Sequence, residues 1–83
     1  PNACNSPTKI KLSIPPPSVH LTDTVLLTFF GNLGREVAVL VNQQLQPGIY
    51  EADFEGSNLS TGIYYYRLTA GDFSETKKMI LVK

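Results

Sequence analysis

Two β-rich runs at the end of the chain constrain its fold more than any other part of the sequence. Residues 62–70 and 73–82 are rich in aromatic and β-branched side chains, and only Gly71 and Asp72 separate them. A two-residue loop that begins with glycine between two such runs is typical of a tight β-hairpin. The second run becomes apolar towards its end, so the hairpin needs a second layer to bury it. A closing element of this kind suits a docking or address module better than a catalyst.

Four runs upstream of this hairpin carry the same strand signals. Residues 9–14 and 49–55 alternate apolar and polar side chains, as half-buried strands require. Residues 25–30 form a short, nearly unbroken apolar run, which predicts a strand buried on both faces. Residues 36–42 predict a further strand. We expect its three valines, Val37, Val39 and Val41, to lie on one face of that strand.

Turn signals separate these runs, and no window shows a useful amphipathic helical pattern. The sequence therefore predicts an all-β fold, an immunoglobulin-like antiparallel β-sandwich of six to seven strands. A length of 83 residues predicts a single domain that spans Pro1–Lys83. We expect residues 1–7 to be extended coil. Residues 19–24 either extend a strand or form a short extra one.

Charge and hydropathy exclude several function classes. The seven basic and seven acidic residues cancel, so the chain has no basic surplus with which to bind a nucleic acid. No run approaches the roughly 18 apolar residues of a membrane span. The first residue is Pro1 and no signal peptide precedes it, so we expect a processed piece of a longer precursor.

The start of the closing hairpin carries a structural motif. Leu59 and Gly62 precede Tyr64 with the spacing of a tyrosine corner, in which the phenol bonds back to the backbone and fixes a crossover between strands. Tyr64 is therefore expected to be structural. On the opposite face of the same strand, Tyr65 and Arg67 form either a ligand patch or, more simply, a cover for the sheet.

The chain lacks the residue sets that catalysis or metal binding requires. His20 and Cys4 are its only histidine and cysteine, and they lie far apart, so neither a nucleophile with its base nor a zinc site is expected. Glu51, Asp53 and Glu55 form an acidic stripe that favours a solvated strand face over a weak calcium site. We therefore predict a protein without catalytic residues, metal or cofactor, and not an enzyme.

The sequence resembles a known family over nearly its whole length. The opening Pro1-Asn2, the segment Leu33-Gly34-Arg35-Glu36-Val37 and the closing block from Gly62 to Met79 carry the resemblance. They are similar to the type A C-terminal sorting domain of type IX secretion substrates. Departures fall in the first half, where Ala3, Cys4 and Ser6 replace residues of the opening motif and Phe30-Gly31 replaces the usual Tyr-Asp.

The resemblance implies a function in export. Members are recognised by outer-membrane secretion machinery, cut by a surface protease and delivered to the cell surface or secreted. The element implied to be recognised is the closing strand, residues 76–83. Its proposed contact residues are Thr76, Lys77, Lys78, Met79, Leu81 and Lys83. Asp23-Thr24-Val25 is similar to an O-glycosylation site of bacteria that use this route, which makes Thr24 a candidate for modification.

Physical chemistry leaves alternatives open. A terminal strand can offer its backbone edge to a partner, yet Lys77 and Lys78 are also typical residues for blocking aggregation at such an edge. The chain could instead be a self-assembling subunit of a surface filament or adhesive layer, built by strand donation between neighbours. A third hypothesis is a carbohydrate-binding module that uses Tyr64, Tyr65 or Phe30, although these aromatic side chains are also suited to the core.

Overall fold

The computed structural model describes residues 3–4, 8–16 and 23–83, which form seven strands in two sheets. The strands are β1 Ala3–Cys4, β2 Thr8–Ile14, β3 Thr24–Phe30, β4 Glu36–Gln44, β5 Gly48–Phe54, β6 Gly62–Ala70 and β7 Phe73–Leu81. The large sheet has the order β1-β7-β6-β3-β4, and β2 pairs with β5 in the small sheet. The predicted all-β sandwich is confirmed. His20 and residues 19–22 lie outside the described residues.

Two expectations for the first half of the chain need correction. Residues 1–7 were expected as coil, but Ala3 and Cys4 form β1, which pairs in parallel with the end of β7. A two-residue strand is too short to show a period in sequence, and it forms because the edge of β7 offers backbone partners. β1 is also the one parallel strand in an otherwise antiparallel set of described pairings.

The second correction concerns the faces of β4. Its register with β3 shifts between Leu27 and Thr28 and again between Phe29 and Phe30. Each β-bulge adds a residue to one strand and reverses the faces that follow. As a result Val39 is exposed, whereas Val37 and Val41 pack against the core. The predicted alternation of the three valines is therefore wrong.

The core lies between the inner faces of the two sheets. Phe29 of β3 and Phe54 of β5 stack across the sandwich with ring centroids 4.4 Å apart, and Tyr66 stacks on Phe29 at 5.2 Å. Offset aromatic pairs of this kind add to the energy of area burial. The period-two patterns of β2, β5 and β6 bring their apolar positions to this layer. The buried apolar side chains are Ile10, Leu12, Ile14, Val25, Leu27, Phe29, Ala52, Phe54, Tyr64, Leu68, Ala70, Met79 and Leu81.

A repeated motif fixes the start of two strands. The pattern Leu-x-x-Gly-Ile-Tyr occurs at residues 45–50 and again at residues 59–64. In each copy the tyrosine hydroxyl donates a hydrogen bond to the carbonyl four residues earlier, from Tyr64 to Ser60 and from Tyr50 to Gln46, both at 2.6 Å. Both phenols thus hold the loop that leads into their own strand, which is the geometry of a tyrosine corner.

The outer face of the small sheet carries lysines on β2 and carboxylates opposite them on β5. Lys9 donates to a carboxylate oxygen of Asp53 at 2.6 Å, and Lys11 lies opposite Glu51 across the same pair of strands. The hydrogen bond to Asp53 and the attraction of its charge raise the pKa of Lys9 above the ordinary value of 10.5. Opposite charges at facing positions support the register of an antiparallel pair.

Candidate functional site

The closing strand β7 lies next to the edge of the large sheet. It pairs with β6 along its whole length, from Phe73 opposite Ala70 to Leu81 opposite Gly62. On its other side β1 covers only Ile80 and Leu81. No other strand of the described residues lies beside the stretch from Phe73 to Lys78. As far as the described residues show, the hairpin therefore offers a backbone edge that runs from Phe73 to Lys78.

The turn of the hairpin decides which backbone groups face outward. Gly71 has a φ of 58°, the following Asp72 does not have a positive φ, and these two residues connect the strands. These are the features of a type II′ turn, whose flanking residues Ala70 and Phe73 form a hydrogen-bonded pair. Because such pairs alternate, the N–H groups of Ser74, Thr76 and Lys78 point away from β6 and towards the open edge.

Two consecutive lysines lie at one end of this edge. Lys77 and Lys78 are exposed, and neither makes an ion pair with any described residue. The side chain of Lys78 lies on the outer face opposite Tyr65, whereas Lys77 alternates to the same side as Met79 and is nevertheless exposed. The two ammonium groups are therefore presented on both sides of one exposed edge.

The other predicted contact residues divide into two kinds. Met79 and Leu81 are buried in the core, so their side chains do not reach a partner while the domain is folded. Lys83 folds back on the loop between β5 and β6, where its ammonium donates to the Ser57 carbonyl at 2.6 Å and its backbone N–H to Thr61 Oγ1 at 3.2 Å. Thr76, by contrast, is exposed on the edge strand.

Exposed apolar side chains gather at the end of the sandwich where β7 finishes. Leu33 is 94 % exposed at the tip of the turn between β3 and β4, and Ile63, Ile80 and Val82 are also exposed. Ile63 and Ile80 face each other across β6 and β7. The turn that presents Leu33 is closed by hydrogen bonds from Gly34 to Gly31 and from Gly31 to Arg35. Gly34 has a φ of 87°, as a three-residue hairpin loop requires.

A shallow concavity on the outer face of the large sheet lies beside the same turn. We call it the aromatic cup. It has a volume of about 290 Å³ and is lined by Phe30, Gly31, Asn32, Gly34, Tyr65, Arg67 and Thr76. The guanidinium carbon of Arg67 lies 4.6 Å from the centre of the Phe30 ring. This is the distance of a cation–π contact, which favours this position of the side chain.

Sequence reasoning missed several features of this region. The cup joins β3, β6 and β7 with the turn after β3, a grouping that no local spacing reveals. The hydrogen bond of Tyr50 could have been found, because its motif repeats that of Tyr64. The remaining predicted positions stay predictions. Thr24 is exposed at the start of β3, and Leu59 is half-buried against the core.

Metal and membrane elements do not add to this picture. Within the described ranges no group of three or more His, Cys, Asp or Glu side chains is arranged to hold a metal ion. In that same part of the chain, no helix has the length and apolar character to cross a membrane.

Comparison with known proteins identifies a family for this chain. The model of a family described as "Secretion system C-terminal sorting domain" matches residues 1–83, the whole chain. No curated protein and no solved structure matches it.

Proposed function

The chain belongs to the family of secretion system C-terminal sorting domains, and from this premise we propose that the type IX translocon reads it through the open edge of β7. Sorting domains of this family are C-terminal targeting signals, and the proteins that carry them are exported to the cell surface or secreted. The proposal adds the contact: a strand of the secretion machinery pairs with residues 73–78. The domain acts by being bound and performs no catalysis.

The observation that carries this proposal is the exposed backbone of β7. Ser74, Thr76 and Lys78 direct N–H groups to the side on which no described strand pairs with them, and main-chain pairing at such an edge is an established mode of peptide recognition. Lys77 and Lys78 add positive charge on both sides of the edge, which would fix the register of an acidic partner strand. Ile63, Ile80 and Val82 supply apolar contact area next to it.

A partner strand that pairs with the edge of β7 contacts its backbone and its exposed side chains. We therefore limit the proposed contact residues of β7 to the exposed ones and omit Met79 and Leu81. The buried pair supports the strand from the core side. Removal of the domain by a surface protease after export, and modification of Thr24, are part of the same proposal. The alternative of a filament subunit gains no support from the fold or the family match.

An export assay with point variants tests the proposal. The chain is fused to the C-terminus of a reporter in a host with a type IX system, and surface reporter is compared with retained reporter. Lys78→Pro removes the outward N–H and is expected to block export while the domain stays folded. Lys78→Gln keeps the N–H and removes the charge, so it is expected to weaken export without blocking it.

A matched control removes a charge elsewhere. Lys11→Gln lies on the outer face of the small sheet and is expected to export like the parent fusion. Circular dichroism and thermal unfolding of each purified domain show whether it is folded. A folded Lys78→Pro domain that is exported at the parent level would refute recognition through the edge of β7.

A further inference from the structure

The outer faces of the two sheets differ in whether their basic side chains have acidic partners. On the small sheet, Lys9 is paired with Asp53 and Lys11 faces Glu51. On the large sheet, Arg67 is held over Phe30 but forms no ion pair with any described residue. An arginine that packs against an aromatic ring and has no counter-ion among the described residues is available to bind an external anion.

The aromatic cup around Arg67 contains further unused donors. The hydroxyl groups of Tyr65 and Thr76 line the same concavity and make no hydrogen bond to the described residues. Among the described residues, no acidic side chain lines the cup. Glu75 adjoins Thr76 in the register with β6 but alternates to the other face of β7, and Glu36 lies opposite Phe30 on the far side of β3. Neither forms an ion pair with Arg67. The cup therefore combines a cation, two hydroxyl donors and two aromatic walls.

We propose that the aromatic cup binds a carboxylate carried by an acidic side chain of a partner polypeptide. The planar guanidinium presents its N–H groups in a fork that matches the two oxygens of a carboxylate. One face of that fork is covered by Phe30, so the edge remains for the ligand. Tyr65 and Thr76 supply donors to the same group.

Size and charge favour this ligand class over others. A volume of about 290 Å³ lies at the lower limit of small-molecule pockets, so the cup accommodates one side chain rather than an oligosaccharide. Arg67 is the basic residue among the described residues that line the cup, and Lys78 lies opposite Tyr65 on the same face. The planar fork of the guanidinium, rather than the number of charges, therefore favours a carboxylate over a phosphate.

The position of the cup indicates where the acidic side chain comes from. Thr76 lies on β7, directly beside the open edge, and Arg67 is its partner on β6. A strand added to that edge places alternate side chains on the outer face next to Thr76. The source of the carboxylate rests on the proposed function, because the added strand is the one that reads the domain. Binding of the carboxylate is a property of the chain itself.

A titration on the isolated chain tests carboxylate binding. The isotope-labelled chain is titrated with the capped peptide Val-Glu-Val, with the matched peptide Val-Gln-Val and with inorganic phosphate, and amide and arginine side-chain signals are followed by NMR. The glutamate peptide is expected to shift the signals of Arg67, Tyr65 and Thr76. The glutamine peptide lacks the charge-assisted hydrogen bond, so we expect its affinity to be lower by about tenfold or more.

Variants assign the effect to the cup. Arg67→Gln is expected to remove the difference between the two peptides, Arg67→Lys to reduce it, and Arg35→Gln, which lies on the neighbouring turn, to leave it unchanged. Equal binding of both peptides, shifts that map to Lys9 and Lys11, or preferential binding of phosphate would each overturn the inference. Such a result would leave the export assay of Lys78→Pro as the separate test of the proposed function.

Discussion

Single side chains with one well-defined partner give the sharpest tests of this fold. Tyr64→Phe removes the hydroxyl that donates to Ser60 and retains the ring in the core. We expect the free energy of unfolding to fall by about 1 kcal/mol, the net contribution of one hydrogen bond. Urea unfolding measures it. Tyr65→Phe is the matched control, because that hydroxyl bonds to no described residue, and an equal loss in both variants would contradict the assignment.

Glycine is required at position 56 because a larger residue would collide with the core. A methyl group at this position would lie 3.0 Å from Phe54 and 3.1 Å from Leu81, in a place where both neighbours are fixed in the core. We expect Gly56→Ala to destabilise the domain by about 1–3 kcal/mol, as overpacking does. Gly62→Ala, whose methyl group would meet nothing within 4 Å, serves as the control. A smaller loss for Gly56→Ala than for Gly62→Ala in thermal unfolding would refute this packing.

The pair of Lys9 and Asp53 makes a pH-dependent contribution. The pKa of Lys9 is raised in the folded chain by its hydrogen bond to Asp53, so the stabilisation is present below 10.5 and is lost as the pH rises above that value. We expect the stability difference between the parent and Lys9→Gln to shrink on going from neutral pH to above 10.5. Both groups are exposed, so the difference is small at the outset. A difference that grows with pH would contradict the sign.

At the scale of the element, β7 is a strand with two unlike edges. The alternation set by the turn at Gly71 assigns the N–H of Lys77 to the ladder with β6 and that of Lys78 to the open side. We expect Lys77→Pro to destabilise the hairpin by about 1 kcal/mol more than Lys78→Pro does, because only the former breaks a ladder hydrogen bond. Urea unfolding of the two variants compares them. The reverse order would show that the assigned alternation is shifted by one residue.

At the scale of the whole molecule, β7 serves the core and the edge at once. Deleting residues 76–83 removes the two buried side chains Met79 and Leu81. Loss of a buried apolar side chain of this size costs about 2–5 kcal/mol, against a total stability of about 5–15 kcal/mol for a typical domain. We expect the truncated chain to show neither cooperative unfolding nor dispersed NMR signals. A folded truncated domain would mean that the core does not depend on the closing strand.

This dual use has a consequence for experiments on export. A truncation that abolishes export does not separate loss of a contact from loss of the fold. Exposed positions such as Lys78 and Thr76 allow that separation, because their backbone and side-chain groups face solvent. The same reasoning excludes Met79 and Leu81 as informative sites for mutation.

Features of the fold that depend on residues close together in the sequence could be predicted, whereas features that depend on a distant partner strand could not. Strand positions, the inward faces of β2, β5 and β6, and the hairpin at Gly71 follow from a period of two and from turn chemistry, which act within a few residues. The tyrosine corner at Tyr64 could be found from spacing, and the same spacing was overlooked at Tyr50. The faces of β4 were mispredicted because a bulge depends on the partner strand.

The sequence by itself determined that this chain is an all-β sandwich of the sorting-domain family, since alternation, turns and family motifs are all written along the chain. Only the tertiary structure decided which edge remains open. It paired Ala3 and Cys4 with the end of β7, left Phe73 to Lys78 without a further described strand, and brought Phe30, Tyr65 and Arg67 into one cup. The reason is that pairing between strands distant in sequence is chosen by the packing of the whole molecule, which no local pattern encodes.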